Sequence, residues 1–239
     1  FSYAHDSINN PILLYGDSAN VAFAAGQAEV LRLESADSPF DGQDEIESHS
    51  EFSVLVGGGG HDVLTTLSSH NLIVGDGAAV VFMDNKVHEL ETIASISDGN
   101  DVIDTSDGTQ VIFGGSGADI ITVADGINTV FGDNGFADFD SSVQLISAES
   151  RDADTGGVDI LSLGHGVNVV FAGAGDETIS LSGGLNAIVG DAGRLAVADD
   201  GTVTIESLDI DAVANDTFSL SDGRNFVIGG SGADSVTVD

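Results

Sequence analysis

The sequence predicts an all-β protein: a right-handed parallel β-helix or β-roll solenoid of about eight 18-residue coils, with a β-hairpin insert in every second coil. Three observations predict this fold. A glycine-rich nonapeptide occurs four times, at a spacing of 57 or 58 residues. A shorter period of 18 residues lies inside the long one. Short apolar runs alternate with glycine and aspartate turns, as in proteins built from stacked strands.

The four nonapeptides carry the chemistry of the repeat. They read GGGGHDVLT from Gly57, GGSGADIIT from Gly114, AGAGDETIS from Ala172 and GGSGADSVT from Gly229. Three of them match the pattern G-G-x-G-x-D-x-U-x, in which U is a large apolar residue. The glycines permit a tight turn, and the aspartate and the turn carbonyls are oxygen ligands of the kind that hard cations prefer. The apolar residue then starts a buried strand.

A second anchor repeats with the same period and divides the chain. The Gly-Asp pairs Gly16-Asp17, Gly75-Asp76, Gly132-Asp133 and Gly190-Asp191 are 59, 57 and 58 residues apart. We therefore predict a single solenoid over 1–239 with repeats at roughly 1–74, 75–131, 132–189 and 190–239, the last one partial. Each repeat contains two 18-residue coils and an insert, and we expect the chain to be a segment of a longer protein. Since parallel crossovers are right-handed, so is the predicted coil.

Strand alternation predicts which side chains face the interior of the coil. The inward apolar positions are Ile112, Ile121, Val130, Val170, Ile179, Ile188 and Val227. Five asparagines share the inward phase, namely Asn71, Asn128, Asn168, Asn186 and Asn225. We expect these amides to stack in a hydrogen-bonded column, because stacked coils place identical residues above one another.

One outward column is apolar and has to be covered. It consists of Val74, Phe113, Phe131, Phe171, Val189 and Ile228. The inserts read as pairs of strands around a turn; in the last one, Leu195-Ala196-Val197 and Val203-Thr204-Ile205 flank Asp199-Asp200-Gly201. Either these inserts fold over the apolar column, or another chain does.

The charge balance excludes several classes of partner. The chain has forty acidic residues and five basic ones, which gives a net charge of -35. A chain this acidic is often disordered, but 41% apolar residues provide enough material for a core. The negative field argues against nucleic acids and anionic membranes, and no run approaches the ~18 apolar residues of a membrane span. We expect no nucleic-acid partner and no membrane insertion.

Acidic side chains recur at one phase of the coil and are the candidate metal ligands. The nonapeptides supply Asp62, Asp119 and Asp234, with Glu177 at that position in the third copy. The turns of the alternate coils supply Asp44, Asp101, Asp159 and Asp216, and the Gly-Asp pairs add Asp76, Asp133 and Asp191. Carboxylates stacked every ~5 Å repel by roughly 3 kcal/mol per neighbouring pair at an effective dielectric constant of ~20. Such a column predicts bridging cations whose binding is coupled to folding.

Catalytic motifs are missing from the sequence. It contains no zinc-protease helix motif, nucleophile elbow, phosphate loop or dinucleotide fingerprint. The six histidines match no metal-ligand spacing. Acidic pairs recur in every repeat, whereas a catalytic site is normally unique. We therefore predict that this chain is not an enzyme and binds no organic cofactor.

At the nonapeptides the chain resembles the RTX (repeats-in-toxin) family of haemolysin-type calcium-binding repeats. The resemblance implies several Ca²⁺ ions between successive turns, held by the position-six carboxylates and by turn carbonyls. It also implies secretion and an extracellular or cell-surface location. Two functions are compatible with it. One is a structural segment of a filament, matrix or adhesin, whose partners are other copies or further repeats; the other is the calcium-folded tail of a type I-secreted toxin or hydrolase.

Overall fold

The structure, a computed structural model, describes residues 11–23, 30–36, 42–67, 69–93, 99–152, 155–208 and 213–239. All regular elements in these ranges are β-strands, numbered β1 to β24 in chain order, and they form three eight-stranded sheets. The prediction of an all-β chain with parallel sheets is confirmed. In this part of the chain no helix has the length and apolar character needed to cross a bilayer.

Two of the sheets are parallel and enclose the inner core. The first parallel sheet contains β1 (Ile12–Tyr15), β5 (Phe52–Val56), β7 (His70–Val74), β11 (Gly108–Phe113), β13 (Gly126–Phe131), β17 (Gly166–Phe171), β19 (Gly184–Val189) and β23 (Arg224–Ile228). The second parallel sheet contains β4 (Glu45–Ser48), β6 (Val63–Thr66), β10 (Val102–Thr105), β12 (Ile120–Val123), β16 (Ile160–Leu163), β18 (Thr178–Leu181), β22 (Thr217–Leu220) and β24 (Ser235–Val238). Consecutive coils therefore lie in register, one strand of each sheet per coil.

The inner core contains the side chains that the alternation predicts. Ile112, Ile121, Val130, Val170, Ile179 and Ile188 are all buried in it, and Val227 packs against it partly buried. Register is kept from coil to coil, so that Val130 pairs with Val170 and Phe131 with Phe171. Because the side-chain period of a strand is two, this constant register keeps the same residues inside throughout.

The predicted amide column is present and lies inside the first parallel sheet. The side-chain Nδ2 of Asn128 donates to Oδ1 of Asn168 (2.9 Å), Asn168 to Asn186 (2.8 Å) and Asn186 to Asn225 (2.7 Å). Asn71 donates to Oε1 of Gln110 (2.7 Å), but Nε2 of Gln110 donates to the carbonyl of Ser106 and Oδ1 of Asn128 has no donor, so the bonded column runs from Asn128 to Asn225. The column therefore supplies partners for polar groups that would be costly to bury alone.

The inserts form a third sheet, here called the hairpin sheet, which is antiparallel. Its strands are β2 (Ala19–Phe23), β3 (Val30–Ser35), β8 (Ala78–Met83), β9 (Lys86–Thr92), β14 (Gly135–Phe139), β15 (Leu145–Ser150), β20 (Gly193–Val197) and β21 (Val203–Ser207). Each insert is a hairpin, and neighbouring hairpins pair through only three residue partners, as in β9 with β14. Five or six partners pair the two strands within a hairpin.

The hairpin sheet covers the apolar column of the first parallel sheet. Phe113, Phe131 and Phe171 are at most 1% exposed and pack with hairpin residues such as Val80 and Ala137. The rings of Phe131 and its two neighbours stack at centroid distances of 4.8 and 4.7 Å. The inserts of this same chain therefore cover the column, although Ile228 at its end is 45% exposed.

Hydroxyl groups connect each hairpin to the next. The backbone N–H of Ala78 donates to Ser35 Oγ (3.0 Å), that of Gly135 to Thr92 Oγ1 (3.1 Å) and that of Gly193 to Ser150 Oγ (3.1 Å). Each bond joins the last strand of one hairpin to the first strand of the following one. The repeats are thus locked together by a recurring side-chain contact as well as by sheet pairing.

We predict that Asn168→Ala lowers the free energy of unfolding by about 2–4 kcal/mol. The substitution leaves the buried Oδ1 of Asn186 without a donor and leaves Nδ2 of Asn128 only its long 3.5 Å bond to the carbonyl of Ala124, at ~1–3 kcal/mol each. Urea denaturation of the calcium-loaded protein measures the effect. Asn225→Ala, at the half-exposed end of the column, is the matched control and should cost clearly less. Equal losses in the two variants would contradict a continuous amide column.

Candidate metal-binding edge

The candidate site lies along the edge where strands of the first parallel sheet turn into the second. In half of the coils the turn is direct; Gly114 to Asp119 connect β11 to β12. In the other half the hairpin is inserted within the turn. The direct turn needs glycine at its second and fourth positions, since Gly115 and Gly117 have φ of 113° and 111°, which L side chains rarely adopt. A continuous edge of tight turns results.

Eight carboxylates stand above one another along this edge, each just before a strand of the second parallel sheet. They are the stacked carboxylates Asp44, Asp62, Asp101, Asp119, Asp159, Glu177, Asp216 and Asp234. The backbone N–H of Asp62 donates to Oδ1 of Asp101 (2.8 Å), and that of Asp101 to Oδ1 of Asp119 (2.7 Å). The same bond recurs along most of the column. The structure therefore brings eight of the sequence-predicted ligands into one column.

The second oxygen of these carboxylates is buried without a hydrogen-bond donor. This holds for Oδ2 of Asp62, Asp101, Asp119, Asp159 and Asp216. The Oδ2 atom of Asp119 and the carbonyl oxygen of Gly132 both border the space that a side chain on Gly114 would fill. The arrangement recurs at Gly75, where Asp101 and the carbonyl of Gly114 take these roles. A carboxylate oxygen and a carbonyl oxygen from the next coil thus approach each of these glycines closely, and a side chain there would collide with both.

The Gly-Asp aspartates form a second column beside the first. Oδ2 of Asp76 accepts the N–H of Ser116 (2.6 Å), and Oδ2 of Asp191 accepts that of Ser231 (2.6 Å). Asp133 receives the N–H of Ala174 in the same way (2.5 Å). Each therefore caps the nonapeptide turn of the following coil. The three predicted ligands Asp76, Asp133 and Asp191 thus lie on the same edge.

Asp17 belongs to this second column and is an additional candidate ligand. Its Oδ2 accepts the N–H of Gly59 (2.8 Å), as Asp76 does with Ser116 one repeat later. The Gly16-Asp17 pair marks the repeat period in the sequence, and that period is the signal that identifies the residue.

Burial raises the pKa of the carboxyl groups along the edge. Desolvation raises the pKa of Asp101 to about 7 and that of Asp119 to about 9, with the charges of neighbouring carboxylates adding to the shift. The pKa of Asp62 rises to about 6 and that of Asp159 to about 7, again chiefly through desolvation. In the second column desolvation, with the charge of Asp159, raises the pKa of Asp133 to about 8. Without a cation, the fold therefore opposes the charged form of these groups.

The third nonapeptide departs from the others at two coupled positions. Ala172 replaces the first glycine and Glu177 replaces the aspartate. Ala172 has a methyl group where Gly114 has none, and both carboxylate oxygens of Glu177 are buried without a hydrogen-bond donor. Desolvation and the adjacent Asp216 raise the pKa of Glu177 to about 10. The third nonapeptide turn therefore presents its ligand oxygens in a different arrangement from the other three turns.

The donor set along the edge suits a calcium ion. Across the described ranges, no three histidine, cysteine, aspartate or glutamate side chains converge on one point. The available ligands are single carboxylates together with main-chain carbonyls. Calcium accepts such mixed oxygen sets, including carbonyls, with flexible geometry, whereas zinc prefers nitrogen and sulfur ligands. The buried, donorless oxygens of the stacked carboxylates therefore fit calcium.

We predict that the calcium-free protein becomes less stable as the pH rises from about 4 to about 9. In this window the folded carboxyl groups, with pKa values of about 6 to 9, hold protons that the unfolded groups, with pKa values near 4, have lost. Far-UV circular dichroism of the metal-free protein, titrated from pH 4 to pH 9, measures the effect as a loss of β signal with rising pH.

The same series at high salt is the control, because salt screens exposed charges much more than buried ones. The trend should persist there. A calcium-free protein that gains stability between pH 5 and pH 8.5 would contradict the raised pKa values of the edge.

Comparison with known proteins agrees with this geometry. The profile of the RTX calcium-binding nonapeptide repeat matches the chain in four copies, at residues 50–79, 96–130, 154–188 and 213–239. The matched segments contain the nonapeptide turns and the strands on either side of them. No curated protein sequence and no solved structure is significantly similar to the chain. The four copies together span more than half of the residues, and the chain therefore belongs to the family of RTX calcium-binding nonapeptide repeats.

Proposed function

We propose that this chain is a calcium-rigidified rod segment of a secreted or cell-surface filament, matrix or adhesin protein. The rod is a right-handed solenoid of about eight coils with a hairpin in every second coil, and its role is mechanical rather than catalytic. The observation that carries the proposal is the continuity of all three sheets, which run through every described repeat. Such a body is long and stiff. Its acidic pairs recur in every repeat, so none of them stands out as a catalytic site.

The stacked carboxylates and the Gly-Asp aspartates would hold the calcium ions. Asp62, Asp119 and Asp234 of the complete nonapeptides are the principal ligands, with Asp44, Asp101, Asp159 and Asp216 in the alternate coils. Glu177 would serve the third turn, and Asp76, Asp133 and Asp191 would hold ions beside the turns that they cap. Bound calcium supplies positive charge to a column of buried carboxylates. Extracellular calcium modules work at ~10⁻⁴–10⁻³ M, which suits a protein that folds outside the cell.

The two ends of the rod support assembly with other copies or further repeats. No described strand pairs with the outer edges of β1, β2 and β4 at one end, or of β23, β21 and β24 at the other. Ser207 pairs with Gly193 as Ser150 pairs with Gly135, so it is placed to bind the N–H of one more hairpin. Free sheet edges are templates for pairing.

We predict a steep gain of β signal on calcium titration of the metal-free protein at pH 7.5, followed by far-UV circular dichroism. Calcium should act and magnesium should not, because Mg²⁺ demands a near-ideal octahedral site and dehydrates reluctantly. Asp119→Asn removes one buried ligand charge and should raise the calcium midpoint about tenfold, or ~1.4 kcal/mol.

Asp104→Asn is the matched control, since Asp104 is exposed on β10 and lies outside the edge. Its midpoint should equal that of the wild type. A full β spectrum in chelator at pH 7.5 would show that the carboxylate column does not require calcium. This result would contradict the proposal that calcium rigidifies the rod.

We also predict that the calcium-loaded chain forms end-to-end filaments in negative-stain micrographs. Ile12→Lys places a charge on the free edge strand β1 at an inward position and should reduce the filaments to single rods. Ile146→Lys, on the middle strand β15, is the control and should leave them intact. Single short rods from the wild type at every concentration would instead favour the calcium-folded tail of a type I-secreted toxin or hydrolase.

A further inference from the structure

An apolar groove separates the hairpin sheet from the first parallel sheet beside the fourth hairpin, β20–β21. It encloses about 620 Å³, within the ~300–1,000 Å³ range of small-molecule sites. Its floor consists of outward side chains of the first parallel sheet, among them Ile127, Val167 and Leu185. Its roof includes Val197 and Val203 of the fourth hairpin. No carboxylate, ammonium or guanidinium group lines it.

The third hairpin closes the corresponding space and the fourth does not. Phe139 of β14 is 1% exposed, and Val143 at the hairpin tip packs against the same core at a φ of 58°, which β-branched residues rarely adopt. The space left beside them is about 90 Å³. The fourth hairpin has Val197 where the third has Phe139, and its tip residue Gly201 has nothing near its would-be side chain. The groove thus results from smaller residues at defined positions.

The groove is accessible along its side. Three of its lining residues, Ile127, Leu185 and Phe226, are 59%, 44% and 63% exposed. Ile127, Val167 and Leu185 form a row of register partners, with Phe226 beside its end. Exposed apolar side chains in this row are costly to leave in water, because burial of apolar surface is worth about 25 cal/mol per Å². The row therefore offers a continuous apolar surface to a ligand that lies along the rod axis.

A cation without a partner lies at the end of this row. Arg224 pairs with Leu185 in register and precedes Phe226 by two residues, so it shares their face of the sheet. Arg32, Arg151 and Arg194 form ion pairs with glutamates, and Lys86 donates to the carbonyl of Ser141. Among the described residues, Arg224 is the basic side chain that has neither an ion pair nor a hydrogen bond.

We propose that the groove binds a free long-chain aliphatic carboxylate, with its head group on Arg224 and its tail along Leu185, Val167 and Ile127. The guanidinium can accept a carboxylate in a bidentate pair. From β11 to β23 the groove crosses five strands, or about 19 Å at ~4.8 Å per strand. An extended chain advances about 1.2 Å per bond, so about sixteen carbons match this length.

The acidic charge of the protein does not prevent this binding. The net charge of -35 repels anions at long range, but at physiological salt exposed charges are screened beyond ~8 Å. The head group would contact Arg224 directly, and the tail would gain from leaving water. The proposal is independent of the rod function, since a tail module of the same fold would contain the same groove.

Equilibrium binding of radiolabelled hexadecanoate to the calcium-loaded chain tests the proposal, with the probe kept dilute enough not to precipitate with calcium. We expect one molecule bound per chain. Val197→Phe fills the groove as Phe139 does in the third hairpin and should abolish binding. Arg224→Gln should weaken binding about tenfold or more, because a charge-assisted pair is lost. Ala196→Phe adds the same ring at an exposed position of β20, beside the buried Leu195, and should change nothing.

Three further results would overturn the proposal. One is the absence of binding to the wild type, and another is unchanged binding in Arg224→Gln together with equal binding of neutral hexadecanol. The third is a wild-type dimer in sedimentation that Val197→Phe makes monomeric, since a second copy would then occupy the groove. Arg224 is exposed, so Arg224→Gln still tests the proposal if Val197→Phe fails to fold.

Discussion

The burial of a column of like charges is the constraint on which the rest of the structure depends. Six consecutive stacked carboxylates, from Asp62 to Asp216, are at most 1% exposed. In the five aspartates one oxygen accepts a backbone N–H and the other has no donor, and in Glu177 neither oxygen has one. A fold that gathers these groups needs positive charge from outside the chain, because only five basic residues are available and none lies in the column. Folding and cation binding are therefore one equilibrium.

Constant register is what makes both the carboxylate column and the amide column possible. A strand shifted by one residue would turn Asn168 outward and break contacts with two coils at once. The same register aligns Phe113, Phe131 and Phe171 under the hairpin sheet. The amide column lies on the inner face of the first parallel sheet and the phenylalanine column on its outer face. Both columns therefore fix the same register between coils.

Most of the coil could be predicted from the periodicity of the sequence, whereas the contacts between inserts could not. The inward phase of Asn128 and Val130 follows from strand alternation, and the position of Asp119 follows from the nonapeptide. Gln110 breaks the asparagine pattern, yet its longer amide reaches Asn71, which only the structure shows. The joining of four hairpins into one sheet depends on pairing across 43 residues, and no local pattern encodes it. The groove exists because Val197 is smaller than Phe139 at the equivalent position. Such a difference in side-chain volume belongs to no sequence motif.

The short joints between hairpins have a consequence for the way the rod deforms. Two parallel sheets connect consecutive coils through four to six residue partners per strand, but neighbouring hairpins share only three. Curvature that stretches the hairpin face therefore concentrates at the boundaries between repeats, while each repeat stays stiff. The rod should bend as a chain of rigid links, preferentially away from its hairpin side, with a link length set by the 57- or 58-residue period.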